Sequence, residues 1–177
     1  MELIQMTCKS TIKIRRAQPT DRQAIIAIFN EAVASGIATD ESMPITVAER
    51  ADWFAQFDAR HPLWVVTVDG TVRGWCALEH FYPHPAYADS AEIAIYVHRQ
   101  AHRHGLGRML LNFADQQIRE HLHFKTVIAY IYAENLPSQG LFTSCGYEHW
   151  GQLPDISKVG GRYRELKIYG KNFPNHP

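Results

Sequence analysis

Residues 91–118, AEIAIYVHRQAHRHGLGRMLLNFADQQI, hold the side chains whose types and spacing best suit chemistry. An apolar stretch runs into a short polar loop, and Gly105-Leu106-Gly107 then opens an amphipathic segment. The first turn of a helix presents N–H groups that no helical carbonyl can meet, and the macrodipole adds about half a positive charge there. Glycines in that turn remove the Cβ atoms that would hold a phosphate away from the backbone. His102, Arg103, His104 and Arg108 surround the opening with further donors. The pattern points to a phosphate-bearing cofactor. Its plain alternative is a tight strand-to-helix turn in which both glycines serve geometry only. Two common phosphate motifs do not fit. The P-loop sequence is absent, and a dinucleotide fingerprint needs a third small residue where Leu110 stands.

The elements that must position this loop are legible from periodicity. Ile12-Lys13-Ile14-Arg15 alternates as a half-buried strand does. Thr20 and Gln23 resemble a capping box, and Ile25, Ile28, Phe29, Ala32 and Val33 form the apolar face of a first helix that stops at Gly36. Thr46 and Glu49 open a second helix carrying Trp53, Phe54 and Phe57, which ends near His61-Pro62. Trp64–Val68, Asp69-Gly70 and Val72–Leu78 read as a hairpin, because Asp-Gly supplies the positive φ angles of a tight turn. A loop at 83–85, a strand at 91–97 and a helix from Gly105 to about Glu120 follow, with Leu106, Leu110, Phe113 and Gln117 on one stripe. Then come a strand at 126–132, a short helix at about 137–144 and two strands near 147–153 and 163–169 around Gly160-Gly161. Helices interleaved with strands in the order β-α-α-β-β-β-α-β-α-β-β predict a mixed α/β fold. A tail from Lys171 to Pro177 is expected to fray.

The chain has 177 residues, of which 46% are hydrophobic and 20% charged, the make-up of one globular domain spanning 1–177 with its core at about 12–170. Lys+Arg and Asp+Glu both number 18, so no net charge draws the chain to nucleic acid or to an anionic membrane. Cys8, Cys76 and Cys145 are odd in number and widely spaced, which suits free thiols in a reducing compartment. With no stretch apolar enough for a signal peptide or a span, a cytoplasmic location is expected. The ten histidines include His98, His102 and His104, and His121 with His123. None has the aligned Cys or carboxylate spacing of a zinc site, so no metal is expected.

The Gly105 loop resembles the coenzyme-A-binding motif of the GCN5-related N-acetyltransferases, Q/R-x-x-G-x-G/A, with His102 at its leading position. Asn135-Leu136-Pro137-Ser138, Leu141 and Gly146-Tyr147 resemble that superfamily's second signature. Four passages look most like the phosphinothricin acetyltransferase type. They are Ile28-Phe29-Asn30-Glu31-Ala32-Val33, Glu92-x-x-x-Tyr96-Val97, the Gly-Leu-Gly loop, and Gly161-Arg162-Tyr163-x-Glu165-Leu166. The resemblance spans roughly residues 12–170. It implies the acyl-CoA N-acyltransferase fold, a central mixed β-sheet flanked by helices. It further implies acetyl-CoA as cosubstrate and a small amino acid or analogue, such as methionine sulfoximine or phosphinothricin, as acceptor. A homodimer is an assembly it leaves open, in which part of the Trp53 stripe would serve a subunit contact.

The residue roles follow from that resemblance. Glu92, set among Ala91, Ile93, Ala94 and Ile95, is the candidate general base; its bland reading is an exposed strand-edge carboxylate. Ile95, Tyr96 and Val97 correspond to the strand end that contacts the acetyl and pantetheine parts. The main-chain nitrogens of Arg103, His104, Gly105, Leu106, Gly107 and Arg108 correspond to the pyrophosphate cradle, and Asn135 to a contact with the pantetheine arm or a helix cap. Pro85, Ala86 and Tyr87 correspond to the acceptor loop. Relatives of this type carry Arg or Lys there, whereas Phe81 to Val97 holds none and offers Tyr82, His84 and Tyr87, which favours a less acidic or more aromatic acceptor unless Arg162 or another basic residue enters the site. Phe142 stands where relatives place Tyr or His to protonate the leaving thiolate. Tyr132 is an alternative donor or a core residue. Direct transfer in a ternary complex is expected, since no Cys or Ser holds an obvious nucleophile position. Acetylation of a protein or peptide amine, or a CoA-binding sensor without catalysis, are the alternative functions.

Overall fold

The computed structural model describes residues 10–174; Cys8 and the last three residues of the tail lie outside them. Seven strands form one sheet: β1 (Ile12–Arg16), β2 (Leu63–Val68), β3 (Thr71–His80), β4 (Ser90–Val97), β5 (Thr126–Tyr132), β6 (Glu148–Val159) and β7 (Arg162–Asn172), in spatial order β1-β2-β3-β4-β5-β7-β6. Every neighbouring pair is antiparallel except β4 and β5. Four α-helices accompany the sheet among the described residues: α1 (Arg22–Ser35), α2 (Ala51–Ala55), α3 (Leu106–Gln117) and α4 (Leu136–Ser144). The element order is the one read from periodicity.

Strand alternation divides the core between the two faces of the sheet. Val65, Trp75 and Ala77 pack with Ile25, Ile28 and Phe54 of α1 and α2. Val66, Cys76, Leu78, Ala91 and Ile93 pack with Leu106, Leu110, Leu111 and Phe142 of α3 and α4. The Asp69-Gly70 turn has φ of 51° and 80° at its two residues, the backbone a two-residue hairpin demands.

Several boundaries differ from the sequence reading. Asp21, rather than Thr20, organises the start of α1: its carboxylate accepts the Gln18 N–H at 2.7 Å and a bidentate pair from Arg15 at 2.6 and 2.9 Å. The Thr46–Glu49 box forms as expected, at 2.7 and 3.3 Å, but α2 lasts only five residues. The long helix turns at Ile118–Leu122 into a single π-type turn closed by His123 at φ 56°. The two final strands run longer than their apolar cores suggest, because cross-strand pairing continues through polar residues to the Gly160-Gly161 turn. The tail does not fray at Lys171. β7 continues to Asn172, Phe173 is buried, and the Lys171 ammonium donates to Asp115 at 2.5 Å and to the Cys145 carbonyl at 2.6 Å.

Among the described residues no helix is long and apolar enough to cross a membrane. Nor do three His, Cys, Asp or Glu side chains converge there as a metal would require. Cys76 and Cys145 are free thiols.

Candidate active site

The β4–β5 ladder is short. Ser90, Ala91 and Glu92 pair with Thr126, Val127 and Ile128, and beyond that rung the two strands part although each continues for several residues. A cavity of about 600 Å³ occupies the gap. Glu92, Ala94 and Tyr96 line it from the α1 face, while Ser138 and Phe142 line it from the α4 face. The cavity therefore runs through the sheet, and Glu92 stands at the rung where the strands separate.

Its floor on the α1 side is set by the β3–β4 register. Trp75 opposes Tyr96, Ala77 opposes Ala94, and Glu79 opposes Glu92. The first pair stacks at 4.5 Å, the small alanine pair leaves room, and the third is acidic. Trp53 of α2 packs edge-on against Trp75 at 5.6 Å, and its indole N–H donates to Glu79 at 3.0 Å. The aromatic stripe of α2 thus reaches the cavity wall as well as the core.

The segment between α1 and α2, residues 36–50, covers this side. Tyr96 Oη donates to the Ala38 carbonyl at 2.9 Å, the Tyr132 hydroxyl donates to Asp40, and Asn30 exchanges two hydrogen bonds with Ile45 at 2.8 and 2.9 Å. Arg50 donates to Glu41 at 2.7 Å. None of these covering residues was singled out from the sequence. The Thr46–Glu49 box was visible, but nothing in one chain tells which loop folds over a sheet.

Four carboxylates line the cavity: Asp40, Glu41, Glu79 and Glu92. Three are engaged, by Tyr132, by Arg50, and by Trp53 with Gln56. Glu92 alone accepts no hydrogen bond among the described residues. Burial first, then repulsion by Glu79 and Asp40, lifts its pKa to about 7. Burial raises Glu79 as well, against the opposing effect of the Trp53 hydrogen bond. Burial and the Asp40 contact push Tyr132 up to about 12, and its hydroxyl also meets Ser157 at 2.9 Å.

On the other side, the β4 strand end leads to the glycine loop. His102 Nε2 lies 2.8 Å from the Val97 carbonyl, so this ring ties the loop to the strand. Arg103 at φ 63° and Gly105 at φ 80° turn the chain through left-handed conformations. No acceptor for the main-chain N–H groups of residues 103–108 is found among the described residues; the first bond of the helix runs from the Met109 N–H to the Gly105 carbonyl at 3.0 Å. Six consecutive free donors at the head of a 12-residue helix fit a diphosphate. Gly107 also has a packing role, because a Cβ there would lie 3.1 Å from Leu141 of α4. The Arg108 side chain turns away to Ser144 at 3.1 Å.

Asn135 lines the cavity and caps α4 at once, its Oδ1 accepting the Ser138 N–H at 3.2 Å. Pro85, Ala86 and Tyr87 form an exposed turn outside the cavity lining. Arg162 sits exposed in the β6–β7 hairpin, also outside it.

Comparison with known proteins matches this geometry. The profile of the acetyltransferase (GNAT) family covers residues 25–147. The chain belongs to that family. It is an N-acetyltransferase with acetyl-CoA as cosubstrate. The protein YwnH of Bacillus subtilis is 35% identical over 161 residues, 90% of this chain and 98% of that one. An L-methionine sulfoximine/L-methionine sulfone acetyltransferase of Pseudomonas aeruginosa is 31% identical over 166 residues, 90% of this chain and 94% of its own. A phosphinothricin acetyltransferase from Sinorhizobium meliloti, solved in complex with acetyl-CoA, superposes with a TM-score of 0.84 at 27% identity, covering 92% of this chain and 88% of that one.

Proposed function

We propose that the enzyme transfers acetyl from acetyl-CoA to the α-amino group of a small amino acid or analogue, by direct attack within a ternary complex. One observation carries the reading: a cavity that passes through the sheet has its single uncommitted carboxylate, Glu92, at the waist. Two reactants entering from opposite faces meet beside that group, which supplies proximity without a covalent enzyme intermediate.

Acetyl-CoA supplies the acetyl thioester. The amides of Arg103 through Arg108 hold its diphosphate, and the unpaired β4 edge at Ile95, Tyr96 and Val97, with Asn135 opposite, receives the arm that leads to the reacting end. On the acceptor side Glu92 takes a proton from the ammonium, and the neutral amine so formed attacks the thioester carbonyl. A carboxylate ionising near pH 7 suits that exchange, because an α-amino group in model peptides ionises near about 8. Main-chain N–H groups that β4 and β5 no longer share beyond Glu92 would stabilise the negative charge that develops on the thioester oxygen. Phe142 has no proton to give the leaving thiolate, and the Tyr132 proton is engaged with Asp40. Two free thiols, Cys76 and Cys145, suit a reducing cytoplasm.

The test is thiol release from acetyl-CoA across methionine sulfoximine, methionine sulfone, phosphinothricin and the common amino acids. Turnover with a free amino acid supports the reading. Tight CoA binding with no turnover on any amine would make the protein a sensor, and turnover confined to peptide amines would make it a protein N-acetyltransferase.

A further inference from the structure

An amino acid acceptor brings a carboxylate into a cavity that already holds four. Something must offset that charge, and the stretch from Phe81 to Val97 contains no Lys or Arg. Among the residues lining the cavity, Arg50 is the one Lys or Arg. It sits at the head of α2, placed there by the Thr46–Glu49 box that precedes it and by the Phe54 N–H that donates to its carbonyl at 3.0 Å.

The guanidinium lies over the Phe29 ring, 5.4 Å from its centroid. Phe29 in turn packs edge-on against Tyr96 at 5.3 Å, so the cation rests on an aromatic shelf that abuts the central strand. A guanidinium has five N–H donors. Arg50 uses one, toward Glu41. That ion pair is partly exposed, at 31% for Arg50 and 39% for Glu41, so it is an exchangeable contact rather than a buried structural pair. A planar fork held on a ring, with donors free and facing a cavity, is built for bidentate recognition of a carboxylate.

We propose that Arg50 binds the acceptor's α-carboxylate, with Glu41 holding the guanidinium in place until the acceptor arrives. The proposal rests on the amino-acid reading above and adds the residue that sets specificity. Arg50 and Glu92 then read the two ends of a zwitterion: the fork takes the carboxylate and the uncommitted carboxylate takes the ammonium proton. A carboxyl group bound elsewhere in the cavity would face Asp40, Glu79 or Glu92 without compensation.

The experiment compares L-methionine sulfone with its α-carboxamide, which keeps the amine and loses the charge. Steady-state kinetics are run on the wild-type enzyme and on Arg50→Gln, Arg50→Lys and Glu41→Gln. Arg50→Gln should cut kcat/KM for the acid by about 10- to 100-fold, chiefly through KM, and change that for the carboxamide by less than about threefold. Arg50→Lys should recover part of the loss, because it restores the charge but not the fork. Glu41→Gln should lower KM for the acid by removing a competitor. Equal losses on both acceptors in Arg50→Gln, or no loss on either, overturn the proposal while leaving amino-acid acetylation standing. Wild-type enzyme that acetylates neither compound nor any other amino acid overturns both.

Discussion

Glu79 and Glu92 face each other directly across the β3–β4 ladder, two carboxylates on the same side of the sheet. Like charges so placed repel, and the pair separates into two roles. Glu79 is held by the Trp53 indole at 3.0 Å and the Gln56 amide at 3.5 Å, whereas Glu92 accepts no hydrogen bond among the described residues. The neighbour's charge is one of the causes that lift Glu92. Glu79→Gln keeps an oxygen for Trp53 and removes that charge, so Glu92 should ionise at lower pH. The acid limb of the kcat/KM profile should then move down by about half to one pH unit. An unmoved limb would show that the two carboxylates do not communicate.

Glu92→Gln removes the proposed proton acceptor without changing shape. Turnover should fall at least about tenfold and as far as about 10⁴-fold. The acetyl-CoA dissociation constant, measured by calorimetry, should hold within about twofold. In the wild type, kcat/KM should drop about tenfold per pH unit below the Glu92 pKa of about 7, and this limb should vanish in the variant. A variant retaining full rate would move the base elsewhere.

The same residue costs stability. Its pKa is raised, from the ordinary 4.5 to about 7, so between those values the folded chain keeps a proton that the unfolded chain releases. Stability therefore declines as pH rises through that window, and the full penalty applies above it. Glu92→Gln should be more stable than the wild type by about 1–3 kcal/mol at pH 8 and indistinguishable near pH 4. Thermal melts at the two pH values, with about 2–4 °C expected per kcal/mol, check the sign as well as the size.

Gly105 holds φ 80°, with open space around a hypothetical Cβ. Gly105→Ala therefore meets no clash and pays only for the left-handed backbone, about 1–2 kcal/mol. The loop is expected to relax toward a conformation that no longer aims its amides together. KM for acetyl-CoA should rise about 3- to 10-fold, while KM for the acceptor stays put. A matched rise in both would mean that the loop supports the whole cavity rather than the diphosphate.

Local patterns in the chain were readable wherever a residue type demands one backbone. Asp69-Gly70 sets a turn, Thr46 and Glu49 set a helix start, alternation marks the first strand, and an apolar run gives the bounds of Thr126–Tyr132. Glu92 stands out because a carboxylate among alanines and isoleucines is anomalous, and the fold puts it in the cavity lining rather than on an exposed strand edge. What pairs with what was not readable. The loop at 81–89 has no defined turn chemistry, so the β3–β4 register, and with it the Glu79–Glu92 opposition, had no signature. Arg50, Asp40 and Glu41 lie in a segment whose polar residues look like any solvated connection. Only the folded sheet shows that this segment lies over the cavity. Pro85-Ala86-Tyr87, which the resemblance assigns to acceptor contact, is an exposed turn outside the cavity lining.

The parting of β4 from β5 has a mechanical side. Counted along their ladder, strands β1–β4 and strands β5–β7 are two leaves of a book bound by three rungs. In the proposed ternary complex an extended arm between the free edges would take the place of the strand backbone each leaf lacks, and so bind the book shut. Catalysis and architecture then draw on the same ligand. After product departs, the empty spine is the place where amide exchange along Ile93–Val97 and Ala129–Tyr132 should quicken first.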